Sequence, residues 1–407
     1  MSGKVVLAYS GGLDTSIAVR WIKEKYDLEV ITVTVDVGQG EDCQALERKA
    51  LTVGAVKHYY VDARKEFIEK YVYPAVKANA LYQGKYPLST ALSRPLIAEK
   101  LLEVALKENA EAVAHGCSGK GNDQVRFEVT IKAKTPHLRI LAPIREWGLT
   151  RTQEIEYAKK HGIPIPVDHG KPYSVDQNLW GRAVECGVLD DPYHEPPEEV
   201  YEWTQSAENA PEKPEVVEVS FEEGRPVALN GRRLDPVELV TWLNKLAGKH
   251  GVGRIDHVED RLVGLKSREV YECPAAVTLI EAHRDLEKTV MTRHEAAFKE
   301  AVDREWCFLA YAGLWVDPLR TDLEAFINRV QERVTGDVKV KLYKGCASVV
   351  GRRSPHSLYD RGLIAYEAES LYQQRWGEGF VEIWGLPSRM AHEAASKQRG
   401  KPEVKAS

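Results

Sequence analysis

The chain has 407 residues, 43% of them hydrophobic and 29% charged, with a formal net charge of -5. This length exceeds one ordinary hydrophobic core, so we expect two domains and an appendage with the composition of a globular protein. The acidic balance provides no overall basic field, which disfavours nucleic-acid binding as the main activity.

Local sequence disfavours further classes of protein. The apolar run within MSGKVVLAYSGG is too short for a signal-peptide core, and no other stretch reaches membrane-spanning length. The six cysteines are scattered without a CxxC pair, which argues against a zinc site or a disulfide framework. We therefore expect a cytoplasmic protein without membrane contact and without a metal site built from protein ligands.

The first 165 residues alternate strand and helix patterns. Near-continuous β-branched runs predict strands at 4–9, 29–37, 58–62, 111–115 and 138–143. Helical periodicity predicts helices at 14–26, 45–53, 65–79, 92–108 and 152–161. Strands that alternate with helices predict a doubly wound α/β nucleotide-binding domain, whose ligands lie at the carboxyl ends of parallel strands.

The pattern changes after a Pro- and Gly-rich exit at 162–171. Alternating runs at 215–221 and 338–344 predict half-exposed strands, and Asn230-Gly231 predicts a hairpin turn. With an amphipathic helix at 236–248, these elements predict an α+β domain.

The last part of the chain predicts a helical arm. A helix at 360–376 would carry one apolar stripe, formed by Ile364, Ala368, Leu371 and Tyr372 and extended by Leu363 and Trp376. We expect this stripe to pack on another subunit; the alternative is that it folds back onto its own domain. The expected division is 1–168, 169–359, an oligomerisation helix within 360–390, and a polar, disordered tail at 391–407.

A glycine-rich loop, SGGLDTS at 10–16, follows the first predicted strand. Paired glycines allow a tight turn that points successive amides into one concavity, and Gly12 is expected to need a positive φ. The hydroxyls of Ser10, Thr15 and Ser16, with the following helix N-terminus, favour a phosphate-type anion. The loop lacks the lysine of a Walker A motif and the spacing of GxGxxG. The alternative is a turn whose Ser or Asp merely caps the helix.

A second polar loop, HGCSGKGNDQVRF at 115–127, follows the fourth predicted strand. Lys120 offers a point charge for phosphate, whereas the planar fork of Arg126 suits a carboxylate. Asn122 can donate and accept hydrogen bonds, and Asp123 could receive an ammonium or ureido N–H. The alternative is a solvated surface loop.

These motifs carry a family resemblance. The loop SGGLDTS resembles the pyrophosphatase loop of the PP-loop (N-type) ATP pyrophosphatase superfamily, in which AMP is transferred to an acceptor oxygen. Five further stretches resemble motifs of the argininosuccinate synthase family: YPLSTALSRP at 86–95, HGCSGKGNDQVRFE at 115–128, YSVDQNLW at 173–180, GRIDHVEDR at 253–261 and KSREVYE at 266–272. The resemblance covers residues 3–385.

The resemblance implies a ligase that couples citrulline to aspartate through citrullyl-AMP, giving argininosuccinate, AMP and diphosphate in arginine biosynthesis. It implies homotetramers, and Mg²⁺ that arrives with ATP instead of a prosthetic group. The implied ATP-binding residues are Ala8, Tyr9, Ser10, Gly11, Gly12, Leu13, Asp14, Thr15, Ser16, Val35 and Gly116. Citrulline would contact Tyr86, Thr90, Asn122, Arg126, Ser174, Glu259 and Tyr271. Aspartate would contact Ser118, Asn122 and Asp123, with Lys120 as a candidate for stabilising phosphate charge.

The sequence departs from the family pattern at four positions. Ser118 replaces a usual Thr, Ala91 and Ala183 replace Ser, and His257 replaces a commonly apolar residue. Two other functions compete. A sulfur-transferring tRNA enzyme would need a catalytic cysteine pair and a basic surface. A nucleotide-binding regulatory module would keep the first loop and lose the polar residues of the second.

Overall fold

A computed structural model of the chain describes residues 3–164, 173–365 and 371–399. The chain divides into two compact units, one ending at His356 and the next beginning at Ser357. The predicted domain exit and the 168/169 boundary fall largely on 165–172, outside the described residues, so that division stays a prediction.

The N-terminal sheet has five parallel strands in the order β3-β2-β1-β4-β5. These strands are β1 (Lys4–Ala8), β2 (Glu29–Asp36), β3 (Lys57–Asp62), β4 (Ala112–Ala114) and β5 (Arg139–Leu141). The predicted doubly wound sheet is therefore confirmed. The strand order reverses between β1 and β4, which places a ligand crevice at their carboxyl ends.

Helices cover both faces of this sheet because alternate side chains of β1 enter two cores. Val6 joins the core that contains α5, whereas Val5 and Leu7 join the core that contains α1. The helices are α1 (Leu13–Tyr26), α2 (Cys43–Thr52), α3 (Arg64–Phe67), α4 (Tyr73–Lys77), α5 (Ser89–Lys107), α6 (Asp123–Lys134), α7 (Pro143–Trp147) and α8 (Arg151–Lys160), with a π-helical turn at Ile68–Val72.

Two of these helices differ from the predicted pattern. α5 begins at Ser89, three residues before the predicted start, because the Tyr86 hydroxyl accepts hydrogen bonds from the Thr90 and Ala91 N–H groups of the first turn. α6 was not predicted, because its buried face includes Arg126 and Thr130 as well as Phe127 and therefore lacks an apolar stripe.

Two antiparallel sheets follow, in the orders β11-β12-β7-β6 and β10-β9-β8-β13-β14. Their strands are β6 (Ser174–Asn178), β7 (Gly181–Glu185), β8 (Glu215–Glu222), β9 (Arg225–Leu229), β10 (Arg232–Arg233), β11 (Arg254–Asp260), β12 (Lys266–Glu272), β13 (Gly336–Tyr343) and β14 (Cys346–Arg353). Asn230 and Gly231 both adopt positive φ, 50° and 75°, between β9 and β10, which confirms the predicted hairpin turn.

Helices pack against these antiparallel sheets and join them to the N-terminal sheet. They are α9 (Pro236–Lys249), α10 (Pro274–Val290), α11 (Arg293–Tyr311) and α12 (Pro318–Gln331), with short 3-10 turns at Gly187–Asp190 and Glu198–Val200. One apolar cluster runs from Val6 through Leu92 and Tyr271 to Val338. The predicted α+β character of this part of the chain is confirmed.

The C-terminal unit contains α13 (Arg361–Ile364), α14 (Trp376–Trp384) and α15 (Leu386–Arg399). The predicted continuous helix at 360–376 is wrong: α13 has a single turn, and 371–375 is not helical. No residue described between Ser357 and Lys397 is buried, so the stripe gains no packing energy that could extend a short helix. Ala368 lies outside the described residues.

The predicted tail at 391–407 also differs, because α15 continues to Arg399. Its sequence LPSRMAHEAASKQR is rich in strong helix formers, and Gly400 and Pro402, which stop helices, come only afterwards. No helix of the described residues is both long and apolar enough to cross a membrane.

Candidate active site

A cavity of about 860 Å³ lies between the carboxyl ends of β1 and β4 and one face of the β11-β12-β7-β6 sheet. Most of the predicted site residues line it: Ala8, Tyr9, Ser10, Asp14, Thr15, Val35, Tyr86, Thr90, Gly116, Ser118, Asn122, Asp123, Arg126, Ser174, Glu259 and Tyr271. The lining does not include Gly11, Gly12, Leu13, Ser16 and Lys120.

The first side of the cavity, which we call the loop wall, is Ser10–Ser16 with Gly116. Its hydroxyls hold the loop in shape: Ser10 Oγ lies 3.2 Å from Thr15 Oγ1 and accepts from the Gly12 N–H at 3.4 Å. Ser16 Oγ donates to the Gly12 carbonyl at 2.7 Å. Because α1 begins at Leu13, its first N–H groups and positive dipole end lie at this loop, as an anion site requires.

Positive φ occurs at Gly11, at +73°, and not at Gly12, where φ is -67°. The expectation for Gly12 is therefore wrong, since the backbone reverses one residue earlier. A Cβ on Gly11 would lie 2.4 Å from Leu46 Cδ2, whereas a Cβ on Gly12 would meet only Ser10 Oγ, at 3.4 Å.

A lysine approaches the loop from outside the motif. Lys49 on α2 donates its Nζ hydrogen to the Gly11 carbonyl. Burial lowers the pKa of Lys49. The loop therefore has a nearby ammonium, although it lacks the Walker A lysine.

The second polar loop is braced from behind by His115. The Cys117 N–H donates to His115 Nδ1 at 3.2 Å, and His115 Nε2 lies 3.3 Å from Glu128. The hydrogen bond from His115, with help from Lys132 and Arg145, lowers the pKa of Glu128 to about 2 despite burial. Gly116 permits close approach of the two loops, since a Cβ there would lie 3.0 Å from Thr15 Cγ2.

The opposite side, which we call the charged wall, comprises Arg94, Asp123, Arg126, Asp176, Glu259 and Glu269 with Tyr271. Asp123 accepts from Arg94 Nε at 2.8 Å and from Arg126 Nη1 at 3.0 Å, and Arg94 also pairs with Asp176. Enclosure by protein raises the pKa of Asp123, but the two guanidiniums outweigh it and the net shift is downward. Asp123 therefore faces the cavity as a carboxylate that two cations already partly neutralise.

Arg126 is buried, with 3% of its surface exposed, and Tyr311 and Gly313, at and just after the end of α11, lie against it. Its Nε donates to the Tyr311 carbonyl at 3.1 Å, and its guanidinium lies 5.1 Å from the Tyr311 ring centre. Gly313, with φ of +72°, makes this approach possible, since a Cβ there would lie 2.8 Å from Arg126 Cα. The orientation of the Arg126 guanidinium is thus fixed by the protein itself.

The carboxyl groups of Glu259 and Glu269 share the hydroxyl of Tyr271. This Oη lies 2.8 Å from Glu259 Oε2 and 2.9 Å from Glu269 Oε2, and the Tyr271 ring stacks on Tyr86 with centres 4.4 Å apart. Tyr311 also donates to Glu259, at 2.7 Å. Burial, together with the charges of Glu259 and Glu185, raises the pKa of Glu269 to about 7.

Asn122 ties the second loop to the antiparallel sheet. Its Nδ2 donates to the Tyr311 hydroxyl at 2.8 Å, and its Oδ1 accepts from the Leu262 N–H at 2.8 Å. The predicted ability of Asn122 to donate and accept is thus used within the protein.

Eight charged residues that line the cavity were not predicted as site residues: Glu41, Arg94, Asp176, Arg182, Glu185, Glu202, Arg261 and Glu269. A signal existed for two of them. Asp176 and Glu269 are each two positions from a predicted site residue, Ser174 and Tyr271, in β6 and β12, and alternate residues share one face of a strand. Tyr311 was also not predicted; it supports the wall through Asn122 and Glu259 without lining the cavity.

The four departures from the family pattern fall at different places. Ala183 lines the cavity, opposite Tyr271 in the strand register, and Ser118 is an exposed residue that also lines it. Ala91 is buried in the first turn of α5. His257 lies opposite Glu269 on the neighbouring strand, and burial lowers its pKa.

Within the described residues, no group of three or more His, Cys, Asp or Glu side chains is arranged to hold a metal ion. The donor set of the cavity instead suits organic ions: hydroxyls and amides for a polyphosphate, guanidiniums for a carboxylate, and carboxylates for an ammonium group.

Comparison of the sequence with known proteins identifies a family. Residues 4–164 match the model of the Arginosuccinate synthase N-terminal HUP domain, and 173–391 match that of the Arginosuccinate synthase C-terminal domain. The chain is 59% identical to an argininosuccinate synthase of Pyrococcus furiosus, covering 96% of this chain and 94% of the relative. It is 56% identical to one from Geobacillus kaustophilus, covering 97% of each chain. The chain belongs to the argininosuccinate synthase family.

Proposed function

We propose that the chain is an ATP-dependent ligase that condenses L-citrulline with L-aspartate, through citrullyl-AMP, to give argininosuccinate, AMP and diphosphate. The observation that carries this proposal is that one cavity has a phosphate-type loop wall on one side and a charged wall on the other. Membership of the argininosuccinate synthase family supports the same reaction and its place in arginine biosynthesis.

ATP would bind along the loop wall. The predicted set Ala8–Ser16, Val35 and Gly116 lies at the carboxyl ends of β1, β2 and β4. Diphosphate carries several negative charges, and N–H groups at a helix N-terminus stabilise such charge without a large change of geometry. We propose that Mg²⁺ arrives bound to ATP, and that Lys120, on the exposed second loop, approaches the phosphates when they are bound.

Citrulline would bind along the charged wall. Within the described residues, Nη2 of Arg126 has no hydrogen-bond partner, whereas Nε and Nη1 are used by the protein. That N–H group suits the substrate carboxylate, and Glu259 beside Tyr271 suits its ammonium group. Tyr86, Thr90, Asn122 and Ser174 complete the predicted subsite.

Aspartate would bind between the two walls. Ser118 and Asp123 line the cavity near the end of β4. The two guanidiniums keep the pKa of Asp123 low, so this side chain can accept an N–H of the incoming amine as a carboxylate. Asn122 would hold the position of both amino acids through its ties to Tyr311 and Leu262.

The chemistry follows from this arrangement in two steps. The ureido oxygen of citrulline attacks the α-phosphorus, and the bond from that phosphorus to diphosphate breaks. The aspartate amine then attacks the ureido carbon, the bond from that carbon to the AMP oxygen breaks, and the amine loses its proton. The protein contributes positioning and charge stabilisation, and no covalent enzyme intermediate is required.

The experiment is to incubate the protein with ATP and Mg²⁺, with citrulline and aspartate each present or omitted, and to identify all products. We expect AMP and diphosphate to depend on citrulline, and argininosuccinate to require all three substrates. ADP and orthophosphate as products, or turnover without citrulline, would contradict the proposal.

We also propose a cytoplasmic homotetramer assembled partly through the C-terminal arm. In support, α14 leaves large apolar side chains exposed: Phe380, Val381, Ile383 and Trp384 are each 56–76% exposed. Such a continuous apolar surface is typical of a protein interface. Truncation after Asp360 should give smaller, folded species by light scattering, whereas full oligomeric mass in the truncated protein would refute the arm's role.

A further inference from the structure

The hydrogen bonds around Tyr271 require one more proton than a hydroxyl carries. Tyr271 Oη lies 2.8 Å from Glu259 Oε2 and 2.9 Å from Glu269 Oε2, yet a phenol has a single hydrogen to donate. If both carboxyls were ionised, one carboxylate would face the lone pairs of the phenol oxygen, which is repulsive. A second proton, on one carboxyl, turns both contacts into hydrogen bonds.

The groups around these two carboxyls favour the proton on the Glu269 side. Glu259 lies 2.7 Å from the Tyr311 hydroxyl, closer than the Asp260 carbonyl at 2.9 Å and with the greater negative charge, so the single Tyr311 hydrogen goes to Glu259. With Tyr271, Glu259 therefore has two hydroxyl donors. Glu269 has one guanidinium, Arg261, at 3.3 Å, and that guanidinium lies closer to Glu185, at 2.6 Å.

The remaining charged neighbours do not neutralise Glu269. Across β11, its partner in the strand register is His257, whose pKa is lowered by burial. On the other side, β7 contributes Glu185, whose charge raises the pKa of Glu269 further. Burial and these like charges raise that pKa to about 7, in agreement with the hydrogen-bond geometry.

We propose that the Glu259–Tyr271–Glu269 group holds one extra proton in the free enzyme, and that the ammonium group of citrulline displaces this proton on binding. The inference rests on the proposed function, because it takes the bound group to be the ammonium of an amino acid. It makes Glu269 a substrate-binding residue: once its proton has left, its carboxylate and that of Glu259 hold the ammonium between them. The proton leaves to solvent, so the total charge of the site is conserved.

The sign of the pH dependence follows from proton release. Below about pH 7 the free site is protonated, and citrulline must displace the proton, so affinity falls as the pH falls. Each pH unit below this point weakens binding up to about tenfold, while affinity is constant above it. Citrulline and aspartate themselves keep the same charge between about pH 6 and 8, so the change belongs to the protein.

Calorimetric titration of the whole enzyme with citrulline, with and without a non-hydrolysable ATP analogue, tests the inference. In two buffers of different ionisation enthalpy, the heat should report release of nearly one proton at about pH 6 and almost none at about pH 8. The dissociation constant should be about tenfold larger at the lower pH. Glu269→Gln should bind citrulline weakly with no pH dependence. Asp256→Asn, which removes an exposed carboxyl paired with Arg268, should keep the wild-type profile.

A second measurement does not depend on citrulline or on the variant folding. Carboxyl ¹³C resonances of the ligand-free wild-type enzyme should include one that titrates near pH 7. If no carboxyl resonance titrates near pH 7, the inference is overturned, regardless of the result of the citrulline titration. Binding of citrulline with no proton release and no pH dependence would also overturn it, and would leave the proposed ligase intact. Failure of citrulline to bind at any pH, with the ATP analogue present, would refute the proposed function instead.

Discussion

The two walls of the cavity are built by different physical means. The loop wall uses, apart from Gly116, one run of consecutive residues with main-chain N–H groups and hydroxyls, and its shape depends on one left-handed glycine, Gly11. The charged wall uses side chains from α5, α6, β6, β11 and β12, which meet only in the folded unit. A substitution in the loop wall should therefore affect turnover more than stability, whereas one in the charged wall should affect both.

Arg126→Ala should have the largest effect. It removes a buried guanidinium that bonds Asp123 and the Tyr311 carbonyl, so we expect loss of citrulline binding and a free energy of unfolding lower by about 3 kcal/mol. Urea denaturation and citrulline titration measure the two effects. The matched control is Arg139→Ala, whose exposed pair with Glu111 should contribute under about 1 kcal/mol. If both variants lost the same free energy of unfolding, Arg126 would contribute no more to stability than an exposed arginine, and the charged wall would not differ from the loop wall in this respect.

Glu128→Gln should change how the free energy of unfolding depends on pH below neutrality, because Glu128 supports the second polar loop through His115. The folded pKa of Glu128 is about 2, below the ordinary 4.5, so its charge stabilises the fold above about pH 4.5 and this contribution is lost as the pH falls toward 2. The variant should lose about 2 kcal/mol at neutral pH and show a flatter stability profile between about pH 5 and 2. Parallel profiles for the two proteins over that range would contradict the assigned partners.

Gly11→Ala tests the loop wall. A Cβ at φ +73° is strained and lies 2.4 Å from Leu46 Cδ2, so we expect a stability loss of about 1–2 kcal/mol and a higher KM for ATP. Gly12→Ala is the control, because its φ of -67° accepts a side chain and it should cost under about 1 kcal/mol. If Gly12→Ala were the more destabilising of the two, the backbone of the loop would be wrongly described.

Tyr311→Phe should have the smallest effect of the four. It removes one hydroxyl that donates to Glu259 and accepts from Asn122, so we expect a loss of about 1–1.5 kcal/mol in stability and a modest rise in the Kd for citrulline. Thermal unfolding and citrulline titration provide the measurements. The KM for ATP should not change, and a rise in that value alone would place Tyr311 with the loop wall.

The same contrast explains what the sequence could predict. β1, β2 and the loop between β1 and α1 were predictable because buried parallel strands are continuous apolar runs and the loop is contiguous. The pairing of Arg94 with Asp123 and Asp176 could not be predicted, because it joins α5, α6 and β6. No local sequence pattern indicates which helix faces which strand. Glu269 could have been found by strand alternation from Tyr271, but its shared proton depends on Glu259, which only the register of β11 and β12 brings close.

The predicted arm helix failed for a related reason. An apolar stripe at helical spacing indicates which residues share a face, but it does not provide the surface that must bury them. Leu371 and Trp376 are more than half exposed within their unit, and helical structure instead occupies α14 and α15.

The hydrogen bonds that Asn122 makes with Tyr311 and Leu262 affect the order in which the binding of each substrate returns during refolding. The loop wall is complete within the first 116 residues, whereas Asn122 reaches Leu262 and Tyr311, contacts that close chain segments of 140 and 189 residues. Long-range closure of this kind forms late, because the entropy of the intervening chain must be lost first. A refolding chain should therefore bind adenine nucleotide before it binds citrulline, and the interval between the two signals would time the assembly of the antiparallel half.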